Sequence, residues 1–302
     1  VQPEQDNPPA HDALTRLLHR LEPTAEQLWE EAKSHLRLEG GLLVLDDSTL
    51  DKLYARKIAL VSRHWSGKHH EVVKGINLLS LLWTDGDSHI PCDYRLYDQP
   101  GDGLTKNDHF LALLETARAR GFQPECVAFD SWYASLNNLK TIRDYGWIWL
   151  TRLKANRLVS QDYQGKVPVS RLVLDEAGAL VHLKGYGLIK VFRVVTPHGD
   201  TAHWATNDLR MTQRQRLALA ERRWSIEHYH RGIKPFGGIE RCQARAAKAQ
   251  RNHIGLARRA FLRLECHSLR TGYSWFELKT RVIREAVRAY LTQPLYTLPA
   301  TA

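Results

Sequence analysis

The segment RRWSIEHYHRGIK (222–234) places four charges on one side of a helix, if it is helical. At ~100° per residue Arg223, Glu227, Arg231 and Lys234 fall within ~80° of arc, with Trp224, Ile226 and Tyr229 turned away. A carboxylate ringed by cations is either an ion-pair ladder, worth a few tenths of a kcal/mol per pair, or an oxygen ligand held beside a polyanion. Two further acids pose the same choice. Asp46 (or Asp47) ends the apolar run LLVL, and Asp130 ends CVAF. The C-terminal ends of buried strands are where open α/β sheets bind ligands. Two carboxylates brought close there repel each other unless a cation lies between them. Hard oxygen donors without Cys or His suit Mg²⁺ or Mn²⁺. The plainer reading of each Asp is an N-cap for the helix that follows.

These acids need a scaffold, and the text around them supplies one. Residues 1–40 read as a disordered start followed by helical segments, DALTRLLHRL and TAEQLWEEAKSHLRLEGG, the second with a capping box at Thr24–Gln27 and a glycine stop at Gly40–Gly41. GLLVLDDS (41–48), VVKGINLLSLLW (72–83), HIPCDYRLYD (89–98), ECVAFD (125–130) and WIWLTRL (147–153) read as strands, with Asp85–Gly86 as a hairpin turn. KNDHFLALLETARARG (106–121) and SLNNLKTIRDYG read as helices. The order predicts an α/β unit over 41–153, a mixed sheet with helices on both faces. Residues 154–207 break into short β-branched runs, an antiparallel insertion, and 208–302 are helical and basic.

The chain has 302 residues, net charge +10 and pI about 9.5, which points to a polyanionic partner, nucleic acid or an anionic surface. No apolar run nears the ~18–20 residues that span a bilayer, and no amphipathic terminal segment suits a membrane surface. The polar, Pro-rich start carries no visible secretory leader, and without Met it reads as a processed or trimmed piece. Cys92, Cys126, Cys242 and Cys266 form no CxxC pair, so reduced thiols in a cytoplasmic protein are expected. His69, His70 and His253 read as polar surface or core residues, and Trp224 as core.

In this order (strand-Asp, strand-Asp, β insertion, helix-Glu) the chain resembles the RNase H-like core of the bacterial DDE transposases of insertion sequences. Arg223, Glu227 and Lys234 have the R-x3-E-x6-K spacing of the branch whose signature is Y-x2-R-x3-E-x6-K. VLDDSTL resembles its first-aspartate motif, D-x-[ST]-T-[LI], which selects Asp46 over Asp47. FDSWYASLNNL resembles the second, and WATNDL (204–209) the "TN" strand before the final helices. The signature tyrosine falls at Ala220, so the DNA-end contact associated with it lacks its residue. The likeness spans roughly 40–290.

The resemblance implies a metal-dependent DNA transposase, with Asp46, Asp130 and Glu227 as catalytic Mg²⁺ (or Mn²⁺) ligands and Arg223 and Lys234 against phosphate. It implies cleavage at transposon ends, transfer of the 3′-OH into double-stranded target DNA, and a homodimer in the synaptic complex. Arg231 on the same face, and Arg241, Arg245, Lys248, Arg251, Arg258, Arg259 and Arg263 on the following helices, are the expected DNA-binding cations. A nuclease of the same fold that cuts without joining, and a non-catalytic DNA-binding derivative, are the competing readings.

Overall fold

The structure is a computed structural model that describes residues 12–66, 69–161, 165–175, 177–195 and 199–293. The predicted disordered start lies almost wholly outside the described residues. Two short helices, α1 (Ala13–Arg20) and α2 (Ala25–Ala32), come first. The Thr24 side chain accepts from Gln27 N, one half of the expected capping box, and α2 tightens into a 3₁₀ turn at Lys33–His35 rather than running to the glycines.

The central strands are β1 (Leu42–Asp51), β2 (Ser62–Ser66), β3 (Glu71–Thr84), β4 (Ile90–Leu96), β5 (Cys126–Phe129) and β6 (Trp149–Leu153). Between them lie α3 (Gln99–Asp102), α4 (Lys106–Ala119) and α5 (Leu136–Asp144). β3 runs antiparallel to β1 along its whole inner edge, and its outer edge takes β2 and then β4. On the other side β1, β5 and β6 are parallel. Three antiparallel strands followed by two parallel ones is the order of an RNase H-like sheet.

The insertion contributes β7 (Leu158–Ser160), β8 (Val167–Pro168), β9 (Ala179–Leu183), β10 (Gly187–Val195) and β11 (Thr201–Thr206). These strands extend the same sheet rather than building a separate one, because β11 pairs antiparallel with β6 and leads on to β10, β9, β7 and β8. An uncovered β6 would leave a row of unpaired backbone groups.

Alternation along the strands divides the core. Leu43, Leu45, Val127 and Phe129 face one way, onto α2, α4 and α5 through Leu28, Phe110 and Leu139. Leu42, Val44, Cys126 and Ala128 face the other way. That second face is covered by α6 (Gln213–Arg223), α7 (Ser225–Ile233) and α8 (Ala247–Thr271), through Leu219, Ile226, Tyr229, Ile254 and Phe261. α9 (Trp275–Thr292) packs against α8 through Trp275, which stacks edge-on against Phe261. No helix among the described residues is long and apolar enough to cross a membrane.

Candidate active site

The pleat separates the two neighbouring aspartates. β1 and β5 pair in parallel from Leu42↔Cys126 to Leu45↔Phe129, so one residue further Asp130 stands just past the end of β5 next to Asp46, which lies within β1 rather than at the strand end expected from the sequence. Both follow Val44 and Ala128 by two residues, and side chains two apart share a sheet face. Asp46 and Asp130 therefore belong to the face covered by α6 and α7. Asp47 belongs to the opposite face and is fully engaged there. It accepts from Tyr133 Oη at 2.6 Å, Asn77 Nδ2 at 2.6 Å and Lys106 Nζ at 2.8 Å. Burial alone would raise its pKa, but Lys106 and these donors hold it below the usual carboxylate range.

Asp46 has the reverse environment. Among the described residues the only hydrogen bond to its carboxylate comes from Asp47 N, at 2.9 Å. Burial first, then the Asp47 carboxylate, push its pKa up to about 8, with Asp130 and Glu227 adding to the rise and Arg223 opposing it. Asp130 and Glu227 thus each lie within electrostatic reach of Asp46. Asp130 also fills the plainer role, since its Oδ1 accepts from Ser131 N at 2.7 Å to cap a 3₁₀ turn, with Arg152 3.6 Å away.

Glu227 comes from α7, whose Ile226, Tyr229 and Ile233 are buried against the sheet. The expected single helix is divided at Trp224, which caps both α6 and α7. Its indole is 52% exposed, which corrects its assignment to the core. Arg223 is buried, within electrostatic reach of Asp46, with no hydrogen-bond partner for its Nε among the described residues. Arg231 is exposed on the cleft wall. Lys234 is tied back, donating to Thr49 O at 3.0 Å and pairing with Glu240 Oε1 at 3.0 Å. Glu240 also accepts from Asp51 N, and Lys52 Nζ donates to the carbonyls of Glu240 and Cys242. Sequence reasoning missed this clamp because its partners are nearly two hundred residues apart, with no spacing to announce it.

Asp46, Glu227, Arg231 and Lys234 line a cleft of about 690 Å³, walled by Trp65, 66% exposed, and Trp224; Asp47 also borders it, and Asp130 is not among its lining residues. Among the described residues no three His, Cys, Asp or Glu are drawn together into a ready metal cage. The donor set nonetheless fits a hard divalent cation in kind. It offers three carboxylates, and ionisation of one of them, Asp46, is opposed by burial first, then by Asp47, with Asp130 and Glu227 adding to the rise, an opposition that a cation beside it would reverse.

The basic tract is less free than its sequence suggests. Arg258 is fully buried, donating to Ser80 Oγ and Asp93 O. Arg251 pairs with Asp98, Lys248 with Glu22, and Arg259 and Arg263 with Glu31. The acids absent from the tract itself arrive from distant segments. Arg241 and Arg245 stay exposed, Arg245 beside the loop after β1. His253 Nε2 lies 3.0 Å from Gly238 O, and His69 Nε2 3.1 Å from Asp51.

Comparison with known proteins bears on this arrangement. Among solved structures, a piggyBac transposase synaptic complex with hairpin DNA is similar at 12% identity and a TM-score of 0.51, over 87% of this chain and 59% of that one. This chain therefore spans about 59% of the length of that transposase, and at such identity the likeness is one of fold. A Drosophila P element transposase strand transfer complex matches at 10% identity over 85% of this chain and 57% of that one, but its TM-score of 0.25 is too low to bear on the fold. No curated protein matches the sequence. The family model described as transposase DDE domain matches residues 40–262, from the strand before Asp46 to beyond Glu227. That span exceeds half of the chain, and the chain belongs to the DDE transposase family.

Proposed function

We propose that this chain is a DNA transposase of the Y-R-E-K branch that cleaves transposon ends in a metal-dependent reaction and joins the freed 3′-OH to target DNA. The observation that supports this reading is the parallel register of β1 and β5, which ends one residue before Asp46 and Asp130, with α7 supplying Glu227 to the same sheet face. Asp46, Asp130 and Glu227 would hold Mg²⁺ or Mn²⁺, which when bound supplies Lewis-acid polarisation of the attacking and leaving oxygens.

The chain's own residues do the rest. Arg223, within electrostatic reach of Asp46, favours its ionised form and so readies it as a ligand. Arg231 on the cleft wall neutralises a phosphate of the end DNA. Lys234 does the same once phosphate displaces Glu240 from its ammonium. Trp65 and Trp224 narrow the cleft and limit water around the scissile bond. Arg241, Arg245 and Arg251 extend the cationic surface for the duplex, Arg251 after release from Asp98. Two ends must be held for joining, so a homodimer forms around DNA, and the work is done in the cytoplasm.

The test is Glu227→Gln with a transposon-end duplex and Mg²⁺. End binding should persist while cleavage drops roughly 10²-fold or more, since a lost metal ligand removes several kcal/mol of charge stabilisation. Retained cleavage removes Glu227 from the chemistry. A DNA-binding protein without catalysis is the competing reading, favoured by the engagement of Asp130 with Ser131 N and Arg152. Cleavage of a pre-nicked end by the unaltered chain eliminates it. Cutting without joined product identifies a nuclease instead.

A further inference from the structure

A second concavity, of about 410 Å³, opens beside the 3₁₀ turn that Asp130 caps. Its position is fixed by the same turn. Tyr133 is buried, stacked on Phe110 and bonded to Asp47, so the preceding residue is turned outward. That residue is Trp132, 58% exposed, with Lys154 Nζ 5.0 Å from its ring centre. The end of β6 runs alongside: Arg152 reaches Asp130, and two residues later Lys154 covers Trp132. Leu136, Leu153 and Leu183 give the pocket an apolar floor, Lys154, Arg157 and Lys184 its rim, and among the described residues no acid lines it. Arg157 is half-buried, its burial opposes the charge it carries, and among the described residues no carboxylate pairs with it.

A flat aromatic surface, an apolar floor and an unopposed cationic rim match a nucleobase joined to phosphates. Acidic peptides would use the cations but not the indole. We infer that this pocket binds unpaired, single-stranded DNA, with a base on Trp132 and the adjoining phosphates on Lys154, Arg157 and Lys184. The inference rests on the DNA-cleaving reading of the neighbouring acids, and it gives the strand leaving them a place to lie. Neither Trp132 nor the rim cations take part in the cleft chemistry.

The test is fluorescence anisotropy of the full chain with a labelled oligothymidylate of about 12 nucleotides, within the usual site size of single-strand binders. It is run in EDTA, so that failure of cleavage and failure of this subsite are read separately. Trp132→Ala should weaken binding about 5- to 150-fold, the equivalent of one base stack of ~1–3 kcal/mol. Trp132→Phe should recover most of it. Lys154→Gln and Arg157→Gln should each lower the slope of log K against log salt by ~0.7. End-duplex binding and the melting temperature should stay as in the unaltered chain, since these side chains reach solvent. Unchanged oligonucleotide affinity in Trp132→Ala overturns the inference. So does polyglutamate competing as well as oligothymidylate at equal charge, which would reduce the pocket to a general anion surface.

Discussion

Replacing the two adjacent aspartates separately should give opposite results. Asp47→Ala removes the partner of Lys106, and their side chains are only 20% and 19% exposed. Breaking a buried pair costs about 3–5 kcal/mol, and partial exposure puts this one near the low end, about 3. Tyr133, itself buried, loses the acceptor of its hydroxyl, a further ~1 kcal/mol. Because the two losses share one carboxylate they do not simply add. A total of about 3–4 kcal/mol, at ~2 °C per kcal/mol for a chain of this size, lowers the melting temperature by roughly 6–8 °C. Asp46→Asn instead removes a carboxylate crowded by Asp47, Asp130 and Glu227, so in metal-free buffer near pH 8 it should leave the melting temperature unchanged or raise it. Thermal unfolding followed by circular dichroism reads both. Equal destabilisation by the two substitutions would refute the assignment of Asp47 to the scaffold and Asp46 to the cleft.

Arg258→Ala should destabilise by about 3–5 kcal/mol, because Ser80, Asp93 O and the rings of Tyr94 and Tyr229 lose their common partner. Arg241→Gln and Arg245→Gln should leave stability alone and each lower the salt slope of duplex binding by ~0.9, read from anisotropy titrations. His230 is buried and its pKa is pushed down to about 3, by burial first and then by Lys234 and Arg258. The unfolded chain therefore takes up this proton first, so the stability tied to neutral His230 is complete above pH ~6.5 and is lost as pH falls toward 3. It amounts to about 2 kcal/mol lost by pH 5. Urea unfolding at pH 7 and pH 5 should show that loss shrinking by this amount in His230→Gln.

Much of the scaffold was legible because its signals are local. Leu42–Leu45 and Cys126–Phe129 are apolar runs ended by acids, Asp85–Gly86 is a turn, and Thr24 caps a helix, so strands and helices emerged within a few residues of their bounds. β2 was missed, since SRHWS carries no clear apolar alternation. Choosing Asp46 over Asp47 rested on a motif. The pleat, which puts the two on opposite faces of β1, acquires its meaning from a register with β5 some eighty residues away that no local motif announces. The basic tract misled for a related reason: Glu22, Glu31 and Asp98 neutralise it from remote segments, which composition within the tract cannot reveal. Trp224 looked like core because it falls with Ile226 and Tyr229 on the side opposite the charges, yet it sits at the join of two helices and faces the cleft.

The most direct measurement is anomalous scattering from crystals soaked in Mn²⁺. The expected result is density bridging Asp46 and Asp130 next to Glu227, with Asp130 released from Arg152, and loss of that density in Glu227→Gln. Manganese bound only elsewhere, or Asp46 and Asp130 left without metal at saturating Mn²⁺, would contradict the assignment of these three acids to one catalytic centre.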